Sequence, residues 1–102
     1  MNKKFKRAEP IIPLSEFLDK AKKVKSFTSS KGKRYEVQRI ENNEMFFLRL
    51  DAKSEKEWSM NLKEVYRAYQ ELEDFATINF KSYVNRTHSP ARSLLLHLSM
   101  LK

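Results

Sequence analysis

Asn42 and Asn43 separate two runs that alternate apolar and polar residues, and this dipeptide constrains the fold more than any other feature of the chain. Asn tolerates positive φ, so the pair can close a two-residue hairpin whose twist matches the strands beside it. With that turn set, the cross-strand partners follow. Tyr35 is expected to face Leu50 and Val37 to face Leu48 on the core side, while Arg34 faces Asp51 and Glu36 faces Arg49 on the other. Apolar pairs on one face and opposite charges on the other agree with a single register. A third strand near Glu57 to Met60, after a loop of Ala52 to Lys56, sets Trp58 opposite Leu50 and Met60 opposite Leu48. Ile40, Met45 and Phe47 are then left exposed at one end of the outward face.

Helical spacing frames this meander. Leu14, Phe17, Leu18, Ala21 and Val24 recur at three- and four-residue intervals, which predicts a helix over 14–25 with Ser15 as its N-cap. A loop at Ser29-Ser30-Lys31-Gly32 leads into the sheet. Asn61, with Glu64 three residues on, caps a helix over 62–73 whose inner stripe is Leu62, Val65, Tyr66, Tyr69 and Leu72. Residues 77–84 read either as a helix capped by Thr77, with Phe80, Tyr83 and Val84 inward, or as a strand in which Ile78, Phe80 and Val84 alternate with polar neighbours. Ser89 as N-cap and Pro90 at a first helical position open a last helix over 89–101. Leu96 and Met100 give it a second apolar face, suited to a homodimer or to packing by the N-terminal arm. The expected fold class is α+β: an N-terminal helix, a three-stranded antiparallel meander and C-terminal helices. Residues 1–13 form a basic arm and residues 14–102 a single domain.

The charge is unevenly spread. Residues 1–34 carry a net +8, residues 35–74 a net −4, and residues 75–102 a net +4 with no acid at all. Cations clustered away from carboxylates attract polyanions by releasing condensed counterions. Lys3, Lys4, Lys6, Arg7, Lys22, Lys23, Lys31 and Lys33 are therefore expected to meet nucleic acid, with DNA favoured. An anionic membrane surface or an acidic protein partner offers a weaker explanation of the same charge.

The chemistry of the chain excludes much else. There is no Cys, and one Gly cannot build a phosphate-cradling loop. His88 and His97 lie nine apart, which is not ligand spacing, so no metal, cofactor, small-molecule substrate or catalytic residue is expected. Glu36-Val37-Gln38 faintly suggests a metal-dependent nuclease, but no further acid is placed to complete the site. No run approaches ~18 apolar residues, so no membrane association is expected and a cytoplasmic protein is.

One stretch supports a sharper reading. Phe75-Ala76-Thr77, then Phe80-Lys81-Ser82-Tyr83-Val84, then Ser89 to Leu98 resembles the helix-turn-helix segment of winged-helix DNA-binding proteins. The resemblance covers about 40 residues. In that family the last helix presents its N-terminal residues to the bases of the major groove. It implies that Arg86, Thr87, His88, Ser89, Arg92 and Ser93 read bases, with Lys81 and His97 near phosphates. The expectation is a small non-catalytic protein binding duplex DNA. The alternative is an accessory or inhibitor protein that docks on an acidic or apolar partner through Ile40, Met45 and Phe47.

Overall fold

The computed structural model describes residues 5–29, 32–50 and 56–102, so Lys3, Lys4, Lys31 and the loop after Leu50 lie outside the described residues. Helix α1 (Leu14–Lys22) leads into β1 (Ser26–Thr28), β2 (Arg34–Glu41), β3 (Glu44–Arg49) and β4 (Glu57–Asn61). Then follow α2 (Leu62–Glu71), a 3₁₀ helix (Thr77–Ser82) and α3 (His88–His97). The fold is α+β, and its sheet has four antiparallel strands in the order β1-β2-β3-β4 rather than three. The additional strand, β1, is only three residues long. It pairs Phe27 with Tyr35 in the stretch between the expected helix and the expected loop at Ser29, which no element was assigned to.

The Asn42-Asn43 turn forms as expected, with φ of 51° and 65°, and pairs Glu41 with Glu44 and Ile40 with Met45. The register beyond it differs. A bulge leaves Gln38 as an extra residue in β2, so Arg39 pairs with Phe46 and Val37 with Phe47. Past the bulge Tyr35 lies opposite Arg49 and Glu36 opposite Leu48, not Leu50 and Arg49 as the unbulged ladder requires. One inserted residue turns every β3 side chain to the other face. Met45 and Phe47 are fully buried, and Leu50 is 48% exposed. The apolar docking group expected at Ile40, Met45 and Phe47 is thus mostly core. Strand β4 follows the same correction, with Trp58 opposite Phe47 and Met60 opposite Met45.

The outward face is charge-compensated, by other residues than expected. Arg39 bonds Glu57 at 3.0 Å and Glu41 at 3.2 Å, and stacks 4.1 Å over the Phe46 ring. Its pKa is raised above the usual value, first by the hydrogen bond to Glu57. Glu36, expected to pair with Arg49, accepts from Gln38 Nε2 at 3.2 Å.

On the inner face Phe27, Tyr35 and Phe47 form an aromatic cluster with centroids 5.1–6.0 Å apart. The helices complete the core with Phe17, Ala21, Leu62, Val65, Tyr69, Ala91, Leu94 and Leu95, all fully buried. Helix α1 begins at Leu14 behind Pro13 with no side-chain cap, so Ser15 does not serve as one. Asn61 does cap α2, its Oδ1 accepting from the Lys63 and Glu64 amides. Glu64 does not close the box. Its carboxylate accepts from Arg67 instead. Residues 77–82 are helical but 3₁₀, with Ala76 and not Thr77 at the N-cap position and the Ala76 amide donating to Asp74 Oδ1.

The N-terminal arm is tied down. Backbone bonds link Lys6 with Lys102 in both directions and Ala8 with Met100, so the arm runs antiparallel to the C-terminal residues. Met100, one of the two residues that offered α3 a second apolar face, is buried in the core and accepts from the arm at its carbonyl. Arg7 reaches the end of α2, where its guanidinium donates to the carbonyls of Tyr69, Gln70 and Leu72. Those are the terminal carbonyls that a helix cannot satisfy internally. Tyr66 donates to the Ile12 carbonyl and Tyr69 accepts from the Ile12 amide, while Ile11 stays exposed.

Candidate functional site

Helix α3 starts two residues earlier than its proline suggests. Thr87 is the N-cap and His88 the first helical residue, which puts Pro90 third rather than first and makes Ser89 helical. Pro90 is still within the first turn, where no intrahelical bond needs its amide. Ser93 Oγ donates to the Ser89 carbonyl at 2.9 Å. The Thr87 side chain makes no capping bond.

This end of α3 abuts one end of the sheet. A cavity of about 170 Å³ opens between them, walled by Tyr35, Phe47 and Trp58. Lys33, Arg49 and Arg86 supply three cations, and Thr87 and Ser89 add hydroxyls. No carboxylate lines it among the described residues. Three different stretches of sequence meet here because β2 begins, β3 ends and β4 begins at the same end of the sheet. A second, more open cleft of about 320 Å³ lies alongside and shares Trp58, Arg86 and Thr87 with the first. Lys56 lies 4.8 Å over the Trp58 ring at its border.

Among the described residues, two arginines hold four of the acids. Arg39 holds Glu41 and Glu57, and Arg67 holds Glu64 at 2.9 Å and Glu71 at 3.3 Å. The Glu71 carboxyl is held below its ordinary value, first by the hydrogen bond from Tyr83 and then by that from Arg67. Converging cations beside an aromatic wall can hold phosphate oxygens and a ring face together.

The expected site residues therefore divide. Lys33, Arg86, Thr87 and Ser89 meet at the cavity. His88 stands beside it, with Nδ1 3.2 Å from the Asn85 carbonyl oxygen, a contact that requires the Nδ1–H tautomer. Lys22 and Lys23 sit instead at the end of α1. There Lys20, Lys23 and Lys25 with His97 surround a wide hollow at the opposite end of α3. Lys22 and Lys25 line a neighbouring hollow beside Gln38 and Arg39. Lys81 is exposed on the 3₁₀ helix, and Ser93 is buried. Arg92 stacks 4.9 Å over Phe5, and burial lowers its pKa. Lys6 is an exposed arm residue, and Arg7 is committed to α2.

Sequence reasoning missed Arg49, Trp58 and Lys56. The unbulged register sent Arg49 to the outward face and left Trp58 as a core residue. A lone Trp near the start of a strand, preceded by Lys56 and Glu57, was the available signal.

Among the described residues no group of His, Asp and Glu could hold a metal, and no helix is long and apolar enough to cross a membrane. No protein-family model matches this chain, and neither does any curated protein or solved structure.

Proposed function

We propose that this is a small non-catalytic nucleic-acid-binding protein that holds the phosphates of DNA at the N-terminal end of α3. The observation that carries the reading is the convergence of Lys33 and Arg86 on one cavity that no described carboxylate lines. The dipole of a ten-residue helix adds partial positive charge at the same place. Lys20, Lys23 and Lys25, with Lys22 beside them, supply further phosphate contacts at the opposite end of α3, whose ten residues span about 15 Å.

The 3₁₀ helix, the turn at residues 83–87 and α3 play the part of a helix-turn-helix unit in this proposal. Because Ala91, Ser93, Leu94 and Leu95 are buried, α3 meets duplex DNA by its first turn rather than along its length. Arg86, His88 and Ser89 are the residues of that turn able to reach a base edge or phosphate.

Titrating a random-sequence duplex at low and moderate salt tests the proposal. Two phosphate contacts, one at the cavity and one at the α1 lysines, imply about a 12-fold loss of affinity between about 50 and 200 mM salt. Equal affinity at the two concentrations would refute it.

A further inference from the structure

The cavity at the start of α3 carries more than positive charge. We infer that it is a pocket for one unpaired nucleotide, with the base against Trp58 and the phosphate between Lys33 and Arg86. The inference rests on the nucleic-acid reading above and adds the form of strand that the site takes.

Size comes first. A cavity of about 150 Å³ accepts a benzene ring, so one of about 170 Å³ accepts one ring-sized group and not a base pair. Its walls come second. A site for a bare anion has no use for the half-buried Trp58 in its wall, and a site for an apolar molecule has no use for Lys33 and Arg86. An aromatic ring joined to a phosphate satisfies both halves, and base–aromatic stacking is indifferent to sequence.

The third observation is Thr87. It is only 4% exposed and lines both the cavity and the neighbouring cleft. Among the described residues its hydroxyl neither caps α3 nor makes another hydrogen bond. Among the described residues every fully enclosed side-chain polar atom has a hydrogen-bond partner, so the Thr87 hydroxyl must open on the space that this residue lines. A hydroxyl so nearly buried gains by meeting a ligand atom, and it can donate to a phosphate or base oxygen or accept from a base amine.

Continuity is the fourth. The wider cleft shares Trp58, Arg86 and Thr87, so the strand can pass from one hollow to the next across the indole. Glu57 borders that cleft, but its carboxylate is bound by Arg39.

Trp58 is the only tryptophan, so its emission reports on this pocket alone. A blunt random-sequence duplex and the same duplex with a short single-stranded extension are titrated into the full chain at one salt concentration. The extended duplex should bind at least about 5-fold more tightly, the low end for one stacked base, and should quench Trp58. Trp58→Phe should keep the preference and Trp58→Ala should lose it. Thr87→Val, which preserves shape, should reduce the preference several-fold and serves if Trp58→Ala does not fold. Equal binding of the two DNAs with unchanged emission overturns the pocket and leaves the nucleic-acid reading standing, as does a Trp58→Ala variant that retains the preference. Failure to bind either DNA overturns both.

Discussion

Arg7 caps helix α2 through Tyr69: its Nε donates to the Tyr69 carbonyl oxygen at 2.6 Å, and the guanidinium lies 5.8 Å from the centroid of that residue's own ring. The same cation faces the Phe75 ring at 5.4 Å. A residue sixty-two positions away in sequence thus closes the helix and fastens the arm. Arg7→Ala should lower stability by about 1.5–3 kcal/mol, the range for charged hydrogen bonds. Arg7→Lys should recover only part, since an ammonium lacks the planar fork. Urea unfolding of the three proteins measures both effects.

The bulge at Gln38 makes an opposite prediction from the unbulged ladder. Phe47→Ala should cost about 3–5 kcal/mol, because it empties a fully buried site against Tyr35 and Trp58. Leu50→Ala should stay within about 0.5 kcal/mol. Thermal unfolding of the two variants decides between the registers, and the reverse order would restore the unbulged one.

That contrast also marks how far the fold was legible. The turn at Asn42-Asn43 and the cap at Asn61 are local devices, written in the side chains that perform them, and both form where expected. The bulge is not local. Val37-Gln38-Arg39 carries no Gly or other mark of an inserted residue, and only the competition of Phe47 and Leu48 for the core reveals it. Strand β1 is too short for any period to register. The site suffered for the same reason: Lys33, Arg86, Thr87 and Ser89 could be found from charge and the helix start, but Arg49 and Trp58 depend on the register.

At the turn itself, Asn43 has a φ of 65°, a region that costs a β-branched residue roughly 1–2 kcal/mol. Asn43→Val should therefore be destabilising by about that amount, and Asn43→Gly should be close to neutral. Chemical denaturation of both variants checks the pair.

Glu71 joins α2 to the segment before α3, accepting from Tyr83 Oη at 3.0 Å and from Arg67 at 3.3 Å. Its folded-state pKa lies below the ordinary 4.5, so its ionised form favours the fold. That contribution is fully present above the unfolded value and is lost as pH falls through the folded one. Glu71→Gln should be less stable than the parent at neutral pH, and the gap should narrow on acidification. Melting temperatures across that range supply the test.

The account turns on Lys33 and Arg86 acting together on phosphate, and the dependence of DNA affinity on salt measures that directly. Plotting log affinity against log salt for the parent and for the Lys33→Ala/Arg86→Ala double variant counts the phosphates lost. The slope should become shallower by about 0.9, the value for the one phosphate that the two cations share. An unchanged slope in a folded double variant would contradict it.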